Sequence, residues 1–216
     1  MSVSDCASLA GNATKITARG FGWTHAGRSE PALSDIDLII EPGERVLLCG
    51  DSGSGKSTFL AAMAGVLGSD EEGTRTGEIL LEDSTGMVEE PGHTIPVGLV
   101  LQDPDSQVIS ARVGDDIAFG CENLAYPRGE IWRRVAAAKE LVGPFVDLDF
   151  PTERLSGGQK QRLALAGVIA MGAGVVLLDE PTANLDPEGA RDVVRAVSAL
   201  VEETGATLVV VEHQHA

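Results

Sequence analysis

The sequence is poor in positive charge. It has 16 lysine and arginine residues against 33 aspartate and glutamate residues, and its formal net charge is −17. Because nucleic acids and anionic lipids attract proteins through basic surfaces, an overall field of this sign disfavours both as partners. Local phosphate binding is still possible, since backbone amides and one lysine can form a positive pocket. The remaining acidity is typical of a solvated surface that aids solubility.

Cysteine is scarce, and long hydrophobic runs are missing. Cys6, Cys49 and Cys121 are too widely spaced for a disulfide framework or a zinc site and suit a reducing compartment. Cys49 ends an apolar run and is expected in the core. Residues 163–178 carry no charge, but they are fewer than the roughly 20 residues that a membrane span needs and are interrupted by glycines. They predict a buried helix, a glycine turn and a buried strand, so we expect no membrane span.

Apolar strands alternate with helices along the chain. The predicted strands cover residues 45–49, 77–81, 97–101, 175–178 and 207–211, and the predicted helices cover 56–67, 130–141, 158–171 and 187–203. Buried strands separated by helices favour an α/β fold with a mostly parallel sheet. Residues 15–23 and 33–40 alternate in polarity and predict earlier antiparallel strands, while 103–157 is mainly helical in pattern. We therefore expect one nucleotide-binding domain over 1–216: a P-loop NTPase core, an N-terminal antiparallel β subdomain and a helical subdomain at about 103–165.

A glycine-rich loop lies between a predicted strand and a predicted helix. Its sequence, GDSGSGKS, fits the pattern G-x-x-x-x-G-K-[ST], in which backbone amides surround a phosphate. Lys56 is predicted to reach the β- and γ-phosphates of ATP, and Ser57 to bind Mg²⁺. The alternative is a strand–helix turn without a ligand. The predicted nucleotide-binding residues are Gly50, Asp51, Ser52, Gly53, Ser54, Gly55, Lys56, Ser57 and Thr58.

Two carboxylates follow the buried strand at 175–178. Asp179 and Glu180 stand at its carboxyl end, where α/β folds bind ligands. Asp179 is predicted to hold Mg²⁺, directly or through water, and Glu180 to orient and polarise the attacking water. A solvated strand end is the alternative interpretation.

The segment LSGGQ, residues 155–159, predicts a second anion site at a helix start. Ser156 can cap the helix, and Gly157 and Gly158 allow close approach. One ATP does not need two such sites from one chain. A pair of molecules would use both sites, if the LSGGQ loop of one molecule reaches the γ-phosphate of the ATP that its partner binds.

Because LSGGQ follows the phosphate loop along the sequence, residues 15–213 resemble the ATP-binding cassette family. The resemblance implies an ATPase in which two cassettes close on two ATP molecules with Mg²⁺. Each phosphate loop would face the signature of the other cassette, formed by Ser156, Gly157, Gly158 and Gln159.

The resemblance also assigns roles to isolated residues. Gln102 would contact Mg²⁺ or the attacking water, Asp186 would link the two sites, and His213 would contact the γ-phosphate. Trp23 lies where the family carries an aromatic residue that stacks on adenine. Phe21, and a purely core-packing Trp23, remain open as alternatives. His25, His93 and His215 receive no role.

The segment QDPDSQ, residues 102–107, indicates which class of cassette the chain resembles. Together with DDIAFG, ENL and Pro127-Arg128 it is similar to ATPase subunits of energy-coupling factor transporters, which import vitamins or metal ions such as cobalt and nickel. This implies a transmembrane coupling protein seated in a groove of the helical lobe, from Gln102 through 115–127. The chain would then lie at the cytoplasmic face of the membrane, attached only through that partner, beside a second cassette of the same or another kind.

The chain departs from the family at its end. It stops at Ala216, where members usually continue with a strand pair and a helix, so we expect a truncated or tandem protein. A non-transport cassette acting on nucleic acid or the ribosome is the alternative function. The short stretch between Gln102 and Ser156 leaves room only for a compact lobe, and the acidic balance disfavours that class. A phosphate-loop kinase or GTPase would not explain LSGGQ, and exporters usually carry their own membrane spans.

Overall fold

The computed structural model describes residues 13–68 and 72–213. These residues form eight β-strands and five α-helices. The strands are β1 (Lys15–His25), β2 (Leu33–Ile40), β3 (Arg45–Gly50), β4 (Gly73–Glu82), β5 (Val88–Glu89), β6 (Val97–Val100), β7 (Val175–Asp179) and β8 (Thr207–His213). The helices are α1 (Lys56–Met63), α2 (Val113–Asn123), α3 (Arg128–Ala138), α4 (Gly157–Met171) and α5 (Pro187–Thr204).

The early strands form an antiparallel sheet in the order β2-β1-β4-β5. Ile16 of β1 pairs with Ile40 on one side and Leu81 on the other, and all three side chains are buried. Alternation along β1 therefore places one set of side chains in the core, as the sequence predicts.

A second sheet has the order β3-β8-β7-β6, with parallel β3–β8 and β8–β7 pairs. Every residue of β7 is buried, as expected for a central parallel strand. This confirms the predicted α/β core. Cys49 is exposed rather than buried. It lies on the same face of β3 as Arg45 and Leu47, which are exposed as well.

The described residues divide into two units. The helical unit comprises Val100–Ala173 and Glu180–Gly205. The sheet unit comprises residues 13–68, 72–99, Gly174–Asp179 and 206–213, and holds both sheets and α1. The helical lobe expected at about 103–165 lies within the first unit, which also includes α5.

Helix α4 is the centre of the helical unit and packs against α2, α3 and α5. Gly172, in the left-handed conformation, ends it. Helix α5 begins with an Asp186 cap and Pro187, and ends at Gly205. None of the described helices combines the length and apolarity that a membrane crossing requires.

Several predicted boundaries shift, and β4 begins at Gly73 rather than Gly77. Helix α1 ends at Met63 rather than near 67, because the chain turns at Gly65, where φ is 71°. The helix predicted at 130–141 divides into α3 and a 3₁₀ turn over Lys139–Leu141. Between the strands predicted at 77–81 and 97–101 the structure adds the two-residue strand β5.

Candidate nucleotide-binding site

The phosphate loop of the sheet unit runs from Gly50, the end of β3, to Lys56, the start of α1. Gly55 precedes the helix with φ 90°, and a Cβ there would lie 2.5 Å from the carbonyl oxygen of Ala32. Only glycine satisfies both constraints. Among the described residues no side chain caps the first turn of α1, so its amides remain available to an anion.

Lys56 directs its charge into this loop. Its Nζ donates to the carbonyl oxygens of Gly50, at 2.7 Å, and Asp51, at 2.8 Å, and lies 3.4 Å from Ser54 Oγ. The loop thus surrounds an ammonium group. An incoming phosphate would meet that group together with the amides of a helix N-terminus.

Asp179 lies at the carboxyl end of β7, in the same sheet as the loop. It pairs with Val211 of β8, and Gly50 pairs with His213 two residues further along the same strand. Asp179 is 8% exposed, and its Oδ1 is the buried side-chain polar atom without a hydrogen-bond partner among the residues described. A buried carboxylate oxygen is costly without a compensating donor or cation. The donor set fits Mg²⁺, which prefers carboxylate and hydroxyl oxygens, and Ser57 offers the hydroxyl.

Glu180 follows directly and belongs to the helical unit. Its φ is 46° and it is 8% exposed. Its carbonyl oxygen accepts a hydrogen bond from Ala183 N at 3.2 Å. A non-glycine residue with positive φ is uncommon, and such residues persist where the surroundings enforce them, often at functional sites. The backbone of Glu180 therefore has a constrained conformation.

The signature segment starts α4 in the helical unit. Ser156 and Gln159 form a reciprocal capping box: Ser156 Oγ accepts from Gln159 N at 3.3 Å, and Gln159 Oε1 accepts from Ser156 N at 2.9 Å. Asp186 caps α5 similarly, accepting from Gly189 N at 2.7 Å. A Cβ on Gly158 would lie 3.6 Å from Gly189 Cα, so the two helices start side by side.

These two helix starts enclose a pocket of about 300 Å³. Ser156, Gly157, Gly158 and Asp186 line it, and Arg162 at its wall pairs with Asp192 at 3.3 Å. The helical unit thus brings four predicted nucleotide contacts together. Gln159 contributes its side chain to the cap instead.

Two other predicted residues lie at element ends. Gln102 follows β6 closely, its side chain is exposed, and its carbonyl oxygen accepts from Asn184 Nδ2 at 3.3 Å. His213 is the last residue of β8, and its backbone pairs with Gly50. The His213 side chain and all of His215 lie outside the described residues.

Trp23 occupies the core of the sheet unit. It is 4% exposed, and a Cβ on Gly73 would lie 2.3 Å from its Cζ2, so the indole packs directly on that glycine. An adenine platform must present a ring face to solvent. The indole therefore packs as the core-packing alternative describes, and Phe21, at 2% exposure, is equally buried.

His25 is an exposed aromatic residue beside Trp23 to which the sequence pattern assigned no role. It is exposed and lies two residues beyond Trp23 on β1, and its Nδ1 accepts from Trp23 Nε1 at 3.1 Å. Ala32 N donates to Trp23 O at 2.8 Å, and Ala32 O faces Gly55 of the phosphate loop. Ala32 therefore connects the end of β1 to the phosphate loop. The period-two alternation of β1 was the available signal, because it places His25 and Trp23 on one face.

The comparisons with known proteins agree with this geometry. The family model described as ABC transporter matches residues 33–183. The chain belongs to the ABC transporter family of ATP-binding domains. It is 40% identical over 190 residues to the energy-coupling factor transporter ATP-binding protein EcfA1 of Caldanaerobacter subterraneus subsp. tengcongensis, covering 86% of this chain and 66% of that protein.

Two further similarities extend this result. The chain is 39% identical over 202 residues to a putative ABC transporter ATP-binding protein of Methanosarcina acetivorans, covering 93% of this chain and 32% of that one. Among solved structures it resembles cbiO1 from Clostridium perfringens, part of the ABC transporter complex cbiONQ, with TM-score 0.74 and 32% identity, covering 94% of this chain and 79% of that one. The cassette therefore spans about a third to two thirds of the length of these two protein relatives.

The helical unit of the cassette also exposes apolar side chains in the segment between Gln102 and Pro127. Ile109 is 60% exposed and Phe119 of α2 is 38% exposed. Asp116 Oδ2 accepts from the backbone N of Ile109 and Ser110, both at 2.8 Å, which fixes the loop that presents Ile109. Burial raises the pKa of the Asp116 carboxyl, and the two backbone hydrogen bonds oppose that shift.

Proposed function

We propose that the chain is the ATP-hydrolysing cassette of an energy-coupling factor type importer for a vitamin or transition-metal ion. The observation that carries the proposal is the phosphate loop, in which an uncapped helix start and the Lys56 ammonium converge. The similarity to EcfA1 and to cbiO1 supports the transporter class. The substrate would be selected by a separate membrane protein.

The proposed mechanism assigns ATP to the phosphate loop and Mg²⁺ to Ser57 and Asp179, with Gln102 as a further contact. Mg²⁺ held by these residues would offset the charge of the β- and γ-phosphates. Glu180 orients and polarises the attacking water, and His213 contacts the γ-phosphate. A second cassette supplies Ser156, Gly157, Gly158 and Gln159 to this ATP, and Asp186 links the two sites.

His25 replaces Trp23 in this proposal as the adenine contact. It is exposed on the strand that Ala32 connects to the phosphate loop. The imidazole accepts a hydrogen bond from the Trp23 indole and can stack on a purine.

The Glu180→Gln variant tests the ATPase proposal. The amide keeps the shape of the side chain but cannot polarise water, so we expect turnover to fall about 100- to 10,000-fold with ATP affinity nearly unchanged. Steady-state phosphate release, ATP titration and light scattering with and without Mg-ATP measure this. An ATP-dependent dimer supports pairing of two copies, whereas normal turnover by the variant would refute the role of Glu180.

The membrane association is proposed to pass through the apolar surface around Ile109 and Phe119, in the region expected to receive the coupling protein. Helices of a partner would bury these exposed side chains. We expect Ile109→Glu to reduce severalfold the fraction of the chain that sediments with membranes of its native cell.

Val194→Glu is the matched control for the membrane test. Val194 is 56% exposed and lies on α5 of the same unit. Equal loss of sedimentation by both variants would show a general effect of added charge and would remove support for the Ile109 surface.

A further inference from the structure

A glutamine side chain fixes the backbone just before Gln102. Gln107 Oε1 accepts from Leu101 N at 2.8 Å, and Gln107 Nε2 donates to Leu101 O at 3.0 Å. Leu101 directly follows β6. The side-chain amide of Gln107 thus pairs with both backbone groups of Leu101, as a neighbouring strand would. This amide therefore holds the backbone immediately before Gln102.

A second glutamine connects the same point to the signature helix. Gln161 of α4 is 1% exposed. Its Nε2 donates to Leu101 O at 3.2 Å, and its Oε1 accepts from Gln107 Nε2 at 3.3 Å. Burying an amide costs free energy that only such bonds offset. Both polar groups of this buried side chain bond to residues 101–107 and not to its own helix.

Two further contacts attach residues 101–107 to the segments around the starts of α4 and α5. Lys160 pairs with Asp105, and Asn184 Nδ2 donates to the carbonyl oxygen of Gln102 at 3.3 Å. Lys160 and Gln161 follow the capping box of α4, and Asn184 stands two residues before the Asp186 cap of α5. The side chain of Gln102 itself stays exposed.

We infer that Gln107 and Gln161 are positioning residues that make the backbone around Gln102 move with α4. This inference rests on the proposed function. There, Gln102 serves the ATP of its own cassette, while the start of α4 serves the ATP of the partner cassette. A shift of α4 on meeting the partner's γ-phosphate would carry Leu101, and with it Gln102, through the two amides. The pair thereby couples one ATP site to the other.

Methionine substitutions separate this link from simple packing. Gln107→Met and Gln161→Met keep the side-chain length and remove the amide bonds. Tyr126→Phe is the matched control, because it removes another hydrogen bond to α4, from Tyr126 OH to Met171 O at 3.1 Å, at the far end of the helix.

The first readout is hydrogen exchange of the Leu101 amide in the nucleotide-free chain, measured by NMR. We expect Gln161→Met to speed this exchange about tenfold, although Gln161 does not touch that N–H, because Gln107 loses its support. Tyr126→Phe should leave the rate unchanged. Wild-type exchange in Gln161→Met, or equal acceleration in Tyr126→Phe, would overturn the link.

The second readout is the ATP dependence of hydrolysis by the cassette pair. In either methionine variant we expect kcat to fall about tenfold and the Hill coefficient to fall toward 1. The Kd of the single chain for ATP should stay within about twofold of wild type. The double variant should lose no more than the worse single variant, because both remove one connection. Additive losses with an unchanged Hill coefficient would assign both glutamines a purely structural role.

Failure of the inference can be distinguished from failure of the proposed function. The proposed function would be refuted if the wild-type chain neither hydrolysed ATP nor formed a pair in its presence. The hydrogen-exchange measurement would still decide whether the two amides connect the Leu101–Gln102 backbone to α4. Cooperative wild-type hydrolysis with unaffected variants would overturn the link alone.

Discussion

The starts of α1 and α4 are both glycine-rich helix N-termini, yet they are built differently. At α1 the cap is Gly55 in the left-handed conformation, and no described side chain satisfies the first turn. At α4 the cap is Ser156, which forms a complete capping box with Gln159. Helix dipoles alone would make both ends attractive to anions.

The difference lies in what each helix start does before a ligand arrives. The α1 loop places a lysine inside a ring of backbone groups and leaves the amides of the first turn uncapped. The α4 start satisfies part of its own turn and is flanked by the acidic cap of α5. The first suits binding of ATP by one chain. The second suits a weaker contact that becomes useful when a partner brings a phosphate to it.

Exchanging glycine for alanine at the two helix starts gives the largest expected contrast. Gly55→Ala would force alanine to φ 90° and place its Cβ 2.5 Å from Ala32 O, so the free energy of unfolding should fall by about 2–4 kcal/mol. In Gly157→Ala the nearest atom to the new Cβ would be Leu185 Cδ2 at 3.8 Å. That variant should stay within about 1 kcal/mol of wild type. Urea unfolding measures both, and equal losses would contradict the comparison.

Removing the lysine of the α1 loop should affect ATP binding next most strongly. Lys56→Ala removes charge-assisted hydrogen bonds to phosphate worth about 2–3 kcal/mol, so the Kd for Mg-ATP should rise about 30- to 150-fold. Lys139→Ala removes the same charge from the helical unit and should leave the Kd within about twofold. Isothermal titration calorimetry with Mg-ATP measures the Kd of both variants. An unchanged Kd in Lys56→Ala would show that ATP does not enter this loop.

The adenine contact should contribute the smallest effect. His25→Ala is expected to raise the Kd for ATP about tenfold, since stacking of a base on a side-chain ring contributes about 1–3 kcal/mol. The affinity for inorganic triphosphate, which has no base, should not change. A parallel loss for both ligands would mean that the substitution damages the phosphate loop and that His25 does not contact adenine.

The local patterns of the sequence predicted the elements that hold the site. The phosphate loop, the Asp179–Glu180 pair and the start of α4 each depend on residues within a few positions of one another. Covalent spacing and backbone preference largely determine such segments. For this reason the strand–loop–helix context of Lys56 and the cap at Ser156 could be predicted, although α1 ended earlier than its apolar pattern indicated.

What the sequence could not decide depended on distant residues. Trp23 is buried because Gly73 of another strand leaves room for its indole, and Cys49 is exposed because it lies on the exposed face of β3 with Arg45 and Leu47.

The link between Gln107 and Gln161 joins residues far apart in the chain, and neither side chain has a local pattern that predicts its partner. By itself the sequence determined the family, the phosphate loop and the positions of the acidic residues. Only the tertiary structure decided which aromatic side chain is accessible and which side-chain amides connect the backbone before Gln102 to α4. The physical reason is that burial and hydrogen-bond partnership are set by contacts between elements, and the spacing of residues within one element does not contain them.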